Sequence, residues 1–350
     1  MTQAQQVDSI RPHPAPGPTD AVIAVTHRCN AQCAMCKVWQ STAEDALTPA
    51  AMRRLPRSLR TINLSGGEPF LRADLPQFVD EIRRRCPHAQ ITISTNAWMV
   101  DRILTVMEEI RFIDPSIRLA VSLDGLGEAH DKIRGVSGAF EAAMQLIGGL
   151  TEAGFRGLRL SMTLSSANLD QLLEVAALAA RHDLELGVVA AHKARTHLGV
   201  SELDEDEKIP DWLAGAFAQL AQGWLRSWRP KQWLRAHFAC FTYHYLAGRA
   251  WRVKCAAGRE FFFLQADGTV YHCSVDGRAM GNLLQQDWHA IWHGPEAHEA
   301  RGAAAACAEN CWMICTARSE YRRRAAAVVA WIALNKLRAH LGRLRLDDKG

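Results

Sequence analysis

"THRCNAQCAMCKVW", residues 26–39, places Cys29, Cys33 and Cys36 within eight positions, and no further cysteine follows until Cys86. It sits directly after "AVIAVT" (21–26), a short apolar run that reads as a buried strand. The same kind of run recurs at 60–65 (RTINLS), 90–95 (QITIST), 117–123 (IRLAVSL), 158–164 (LRLSMTL) and 186–191 (LGVVAA). Between these lie longer segments with helical spacing, at 74–85, 101–111, 138–153 and 168–181. Six strand-then-helix units imply parallel strands, because parallel neighbours need a crossover of that length. A complete eight-unit barrel takes about 250 residues, whereas the alternation here stops near residue 195. The sequence therefore predicts an α/β fold, a partial (β/α)6 TIM-like barrel over 21–195, with its reactive end at the carboxyl edge of the strands. The three cysteines fall at that edge.

Composition narrows the chemistry. At 350 residues with 48% hydrophobic content, the chain can bury a substantial core. Its first twenty residues, "MTQAQQVDSIRPHPAPGPTD", are polar and proline-rich and read as a disordered segment, with no apolar h-region of a secretory signal. Ten cysteines without such a signal point to reduced thiols in the cytoplasm, serving as metal ligands or catalytic groups rather than disulfides. The net charge of +4 is a property of the tail: residues 316–350 hold nine Lys/Arg against three Asp/Glu. The body carries no basic groove of the kind that tracks phosphates, which argues against a nucleic-acid partner.

On the residues alone, C-x3-C-x2-C in such a protein is half a zinc site, a redox pair with a bystander, or three ligands of an iron–sulfur cluster. Structural zinc takes four closed ligands, and catalytic zinc usually recruits histidine or carboxylate. A [4Fe–4S] cube held by three thiolates leaves one iron free for a small chelating molecule.

The stretch resembles the cluster motif of the radical S-adenosylmethionine (SAM) superfamily, and the likeness runs on through the barrel. "NLSGGEPFLR" (63–72) is similar to that family's second-strand motif, which implies that Gly66, Gly67 and Glu68 meet the amino group of the SAM methionine. "STN" (94–96) ends the third strand; the resemblance gives Asn96 to the cofactor, while Ser94, Thr95 and Asn96 also suit a simple strand cap. "VSLDG" (121–125) with "HDKIRGVSGAF" (130–140) resembles the fourth strand and its loop, placing Ser122 and Arg134 near the methionine carboxylate or ribose. One position departs from the pattern: Met35 precedes the third cysteine where an aromatic is common, and its thioether can pack on adenine. The implied chemistry is reductive cleavage of SAM to a 5′-deoxyadenosyl radical that abstracts hydrogen from a C–H bond, driven by an electron donor such as flavodoxin or ferredoxin. A non-catalytic electron-transfer subunit is the reading of another class, and it would have no use for the Gly-Gly-Glu.

Beyond the barrel, 196–249 reads as a helical connector: an acidic turn, then two Trp-rich helices broken at Pro230. Cys240, Tyr243 and His244 are candidates near the substrate, with packing against the barrel as the alternative; the thiol of Cys240 would suit a hydrogen donor in an epimerase. Five cysteines then occur between 255 and 315. "CAAGREFFFLQADGTVYHC" reads as a hairpin turning at Asp267-Gly268, with Cys255 and Cys273 at its ends. With "CAENCWMIC" (Cys307, Cys311, Cys315) and "MGNLLQQDWHAIW" (280–292), the region 250–320 resembles the SPASM or shorter twitch extension of radical SAM enzymes. A full SPASM region has seven cysteines. Five cannot complete two four-thiolate clusters, so one auxiliary [4Fe–4S] cluster is expected, with zinc as the alternative and two of the last three cysteines completing the set.

The final segment, 321–350, reads as a basic amphipathic helix with Leu334, Leu337, Leu341 and Leu344 at helical spacing. It is too short in apolar residues to span a bilayer but fits a membrane surface or a partner helix. The resemblance implies a substrate that is a small molecule, such as a sugar or lipid-linked intermediate to be dehydrogenated or epimerised, or a peptide to be modified. Only about twenty residues precede the first strand, fewer than a leader-peptide-binding domain needs, which tilts the expectation toward the small molecule.

Overall fold

The computed structural model describes residues 17–192, 209–249, 253–309 and 311–346. The N-terminal segment to residue 16 and the acidic stretch "SELDEDEK" (201–208) lie outside the described residues.

Six parallel strands form the expected open barrel: β1 (Asp20–Thr26), β2 (Thr61–Gly66), β3 (Gln90–Thr95), β4 (Arg118–Ser122), β5 (Leu158–Leu164) and β6 (Glu185–Ala190). The crossovers carry α1 (Leu75–Arg85), α2 (Val100–Ile113), α4 (Ala139–Glu152) and α5 (Leu172–Arg181), which pack on the convex core, while α3 (Glu128–Arg134) ends beside the cysteine loop. α1 shows why they dock: Leu75, Phe78, Val79 and Ile82 make one buried stripe, and Arg83, Arg84 and Arg85 face the negative end of the helix dipole. The strands are two-faced. In β5, Leu158, Leu160, Met162 and Leu164 belong to the main apolar core, leaving Arg159, Ser161 and Thr163 on the concave face. Along the other strands Asn63, Ser65, Ser94 and Ser122 share that face, so the concave surface is polar and the convex one apolar.

α6 (Trp212–Arg226) and α7 (Pro230–Leu246) form the connector, Pro230 opening α7 where its missing N–H costs nothing. The C-terminal hairpin is not a separate layer. β7 (Phe261–Leu264) pairs in parallel with β1, β8 (Thr269–Tyr271) and β9 (Ala279–Asn282) follow antiparallel, and one nine-stranded sheet runs β6-β5-β4-β3-β2-β1-β7-β8-β9. The turn falls at Asp267-Gly268 as expected, with Gly268 at φ +86°.

Four helices follow: α8 (Trp288–His293), α9 (Pro295–Ala306), α10 (Ile314–Arg323) and α11 (Ala325–His340). The leucine spacing of the tail does not make one stripe. Leu334, Leu337 and Leu341 are exposed, while Leu344 lies past the helix and is buried. α11 packs its other side, Val328, Asn335 and Ala339, inward. No helix among the described residues is long and apolar enough to cross a membrane.

Candidate active site

The cysteine loop leaves the carboxyl end of β1 and is gripped by backbone from two other elements. From the β2 side, Gly67 N–H donates to Thr26 O (2.8 Å) and Glu68 N–H to Arg28 O (2.8 Å). From the end of α3, the carbonyls of Arg134 and Ile133 accept from Gln32 N–H and Ala34 N–H, each at 2.9 Å; these are carbonyls the helix itself leaves without partners. The glycine pair is explained by this grip. A Cβ on Gly66 would lie 2.2 Å from Thr26 O, and one on Gly67 2.0 Å from Arg28 O. The loop's root is also fixed by Asp45, which accepts from Thr26 Oγ1 (2.5 Å) and His27 N–H (2.7 Å). His27 Nε2 in turn lies 3.2 Å from Gln265 Oε1, at the end of β7.

Glu68 is buried beside this loop. Its Oε1 accepts from Phe70 N–H (3.2 Å) and Thr95 Oγ1 (3.0 Å), and its Oε2 from Asn96 N–H (2.7 Å). Burial nevertheless raises the carboxyl from 4.5 to about 7, overcoming those bonds and the pull of Arg134. Three donors occupy three of its acceptor sites, so one further N–H can still be accepted. Asn96 donates from Nδ2 to Asn30 Oδ1 (2.8 Å) and lies 3.9 Å from Cys29 Sγ.

Arg134 stands beside the cysteine loop: Nη1 lies 3.6 Å from Cys33 Sγ, and Nη2 2.6 Å from Asp124 Oδ2. Asp124, fully buried, accepts from Thr163 N–H (2.8 Å), and its own N–H donates to His130 Nδ1 (3.0 Å). Burial holds His130 neutral, down at about 3. Asp124 stands inside the "VSLDG" stretch, yet nothing in the sequence pairs it with a side chain ten positions on; Asp45 gave no signal at all.

Met35 is half-buried within the loop, and Ser122 ends β4 on the concave face, opposite Ser161. Cys29 is pushed up to about 11 by burial, with further pressure from Glu68, Cys33 and Cys36, and Cys36 is raised by burial as well. Thiols such as Cys29 and Cys36 that resist ionisation on their own are ones that a cationic cluster core would ionise. Backbone N–H groups two residues on donate to the sulfurs of Cys29 (Ala31) and Cys36 (Val38). Among the described residues, no three His, Cys, Asp or Glu side chains converge as a single metal ion needs. A cube with one iron per thiolate requires no such convergence, and the donor set fits it.

The second group of cysteines sits at the other end of the β1–β7 pair. Cys255 precedes β7 and Cys273 follows the antiparallel β8, so both lie at the amino end of β7. Cys273 and Cys315 are buried in an apolar cluster with Ala256, Ala257, Phe261, Phe263 and Val275, against which Cys255 and Cys311 pack; Cys307 is exposed. Burial raises Cys273 to about 11 and Cys315 to about 12, and it raises Cys255 and Cys311. Negative charge on Cys255 adds to the rise at Cys273, Cys311 and Cys315, so the thiols share one field. Here too an N–H two residues on meets the sulfur: Ala257 at Cys255, and Val275 at Cys273 at 3.2 Å.

Cys240 is in neither group. It lies in the main core on α7, 1% exposed, its thiol pushed up to about 12 by burial. Tyr243 packs in the same core with its ring 5.9 Å from Phe217, and His244 is half-buried beside Arg249. Cys240 and Tyr243 thus contribute to the core that packs on the barrel.

Comparison with known proteins agrees with the two-site layout. Residues 23–179 match the radical SAM superfamily and residues 255–316 match the SPASM iron–sulfur cluster-binding domain. Mycofactocin maturase MftC of Mycolicibacterium smegmatis is 26% identical over 317 residues, covering 81% of this chain and 74% of that protein. An AdoMet-dependent heme synthase of Methanosarcina barkeri is 26% identical over 300 residues, covering 78% of this chain and 81% of its own. Among solved structures, anSMEcpe with bound AdoMet and Cp18Cys peptide superposes with a TM-score of 0.58 at 14% identity, covering 90% of this chain and 99% of that one. SuiB of Streptococcus suis bound to S-adenosylmethionine gives 0.57 at 15%, covering 81% and 68%. These superpositions establish the open-barrel fold. A radical SAM domain binds a [4Fe–4S] cluster with SAM, and a SPASM domain binds auxiliary iron–sulfur clusters. The chain belongs to the radical SAM superfamily and carries a SPASM iron–sulfur cluster-binding domain in its C-terminal third.

Proposed function

We propose that this chain is a radical SAM oxidoreductase that removes hydrogen from a C–H bond of a ribosomally made peptide. The observation that carries the oxidative reading is the placement of two cysteine sites at opposite ends of the paired strands β1 and β7. Seven residues of β1 at about 3.3 Å each set them roughly 20 Å apart, beside one polar concave face. The peptide reading is supported by the likeness to a mycofactocin maturase. A second reading, a small molecule to be dehydrogenated or epimerised, is supported by the likeness to a heme synthase.

In this proposal Cys29, Cys33 and Cys36 hold the first cluster, and Glu68 accepts the SAM ammonium in a charge-assisted hydrogen bond. Gly66 and Gly67 set the loop against β2, and Asn96 and Arg134 tune the sulfurs of Cys29 and Cys33. Met35 and Ser122 line the cofactor's surroundings. SAM bound there supplies the hydrogen-abstracting radical. Cys255, Cys273, Cys311 and Cys315 would hold one auxiliary [4Fe–4S] cluster, which would supply an acceptor for the electron left on the substrate, with a flavodoxin or ferredoxin as the donor that drives SAM cleavage.

Anaerobic reconstitution with SAM and a reductant tests the proposal. Formation of 5′-deoxyadenosine with about eight irons per chain is the expected result; about four irons, with zinc at the second site, contradicts it. Short peptides encoded beside the gene are the first substrates to try. The outward side of α11, with Val329, Leu334 and Leu337 exposed and basic residues at both ends, is the surface we assign to peripheral membrane contact. Failure of the chain to co-sediment with vesicles containing phosphatidylglycerol would remove that assignment.

A further inference from the structure

At the amino ends of β4, β5 and β6, opposite the cysteine loop, lies a cavity of about 540 Å³. Its walls are rich in cations. Arg159 reaches it from the concave face of β5, Arg118 from the start of β4 and Arg156 from the turn before β5. The acids that line it are already engaged: Asp183 pairs with Arg229 (2.9 Å), and Glu185 with Lys231 (2.8 Å) and with Arg235. Burial alone would raise Glu185, yet Lys231 and Arg235 hold it below the usual carboxylate range. Nearby, Asp20 is taken by Arg318 (3.0 Å) and Arg322 (3.2 Å).

The side chains of Arg118, Arg156 and Arg159 are left with no hydrogen bond or ion pair among the described residues. Arg159 is the most costly of them. Burial, then the charges of Arg318, Arg235 and Arg118, pull its guanidinium down to about 10, with Glu185 only partly offsetting them. Arg159 is half-buried, and a guanidinium that loses part of its hydration without gaining a partner is costly to keep. Partial loss of water and added like charges both act against it, and the described acids that line the cavity are engaged by other cations.

We infer that this amino-terminal mouth of the half-barrel is a binding site for an oxyanion, a phosphate or carboxylate group of a small ligand, gripped by Arg159 with Arg118 and Arg156. The planar guanidinium presents paired donors matched to such a group, which a chloride ion cannot use. The site lies about one strand's length from the cysteine loop, so it fills independently of SAM.

The experiment uses the reconstituted full chain without SAM, titrated calorimetrically and melted in inorganic pyrophosphate, citrate or sodium chloride at matched ionic strength. One equivalent of pyrophosphate or citrate should bind and raise the melting temperature, with chloride inert; preference for the first identifies a phosphate ligand, for the second a carboxylate. Arg159→Met should weaken anion binding at least tenfold. The same variant, without anion, should melt no lower than the parent, because it loses an unpaired charge rather than a bond, and its 5′-deoxyadenosine formation should be unchanged. If Arg159→Met does not fold, the double change Arg118→Gln with Arg156→Gln must still lower anion affinity. The inference fails if neither oxyanion binds more tightly than chloride, or if the anion-induced stabilisation survives these substitutions.

Discussion

The two cysteine sites use the same ligand and opposite surroundings. At the carboxyl end of β1, three cysteines on one short loop stand among charged and polar groups: Glu68, Arg134, Asn30 and Asn96. At the amino end of β7, cysteines arrive from segments spread over 255–315, and four of them, Cys255, Cys273, Cys311 and Cys315, gather on phenylalanine, alanine and valine while Cys307 is exposed. In the proposed function, the first would receive a charged ligand that comes and goes, and the second would shield a group that stays. An exchangeable corner needs hydrogen-bonding neighbours, whereas an electron reservoir gains from a low dielectric and four protein ligands.

The sharpest way to break this comparison is to empty the first site. Replacing Cys29, Cys33 and Cys36 together with Ala should abolish 5′-deoxyadenosine formation and lower iron from about eight to about four per chain. Residual SAM cleavage, or loss of all the iron, would show that the two sites are not independent.

Gly67→Ala comes next. The new Cβ would stand 2.0 Å from a backbone oxygen of the cysteine loop, which cannot turn aside as a side chain can. Most of the iron of the first site should be lost while that of the second remains, read from iron content and the visible spectrum. Full iron retention would mean that the loop is not held where the contacts of Gly66 and Gly67 place it.

Glu68→Gln should spare the iron and strike the ligand. Loss of one charge-assisted hydrogen bond, about 1.5–3 kcal/mol, corresponds to SAM binding weakened roughly 10- to 150-fold. Acid should imitate the substitution. The folded carboxyl titrates near 7, above its ordinary 4.5, so between those values the fold holds more protons than the unfolded chain. Its contribution to stability therefore declines as pH rises through that window. Binding of an ammonium moves the other way, since it needs the carboxylate, and SAM affinity should fall as pH drops below about 7. Titration of SAM at pH 6 and 8 checks this; a parent and a Glu68→Gln protein with equal pH dependence would locate the titrating group elsewhere.

Much of the first site could be read from the sequence because its parts are local. Period-2 strands, the three-cysteine loop and the Gly-Gly-Glu each lie within about ten residues, and parallel order brings strand ends together without further information. What escaped reading depends on pairing across long separations. "FFFL" has no alternation, and nothing in it says that Phe261 will lie beside Asp20; that register decides that the second site lies at the far end of β1. Arg134 near Cys33 and Asp45 under His27 are likewise contacts made by the folded chain, with no spacing to announce them.

The smallest expected effect falls on the ligand count of the second site. One proposed cluster needs four of the five thiols, and the sequence left three candidates for the last two positions. Burial separates them. Cys315 is buried and Cys311 packs on the same apolar cluster, while Cys307 is exposed just past the end of α9. A cluster that works as a reservoir is protected by its surroundings, so an exposed thiol is the poorest choice of ligand when two shielded ones are at hand. Cys307→Ser should leave about eight irons per chain and an unchanged spectrum, whereas Cys311→Ser or Cys315→Ser should each remove most of the auxiliary iron. The opposite pattern, iron lost with Cys307 and retained without Cys311, would mean that the solvent-facing thiol closes the cluster. The second site would then resemble the first, with one edge open to exchange.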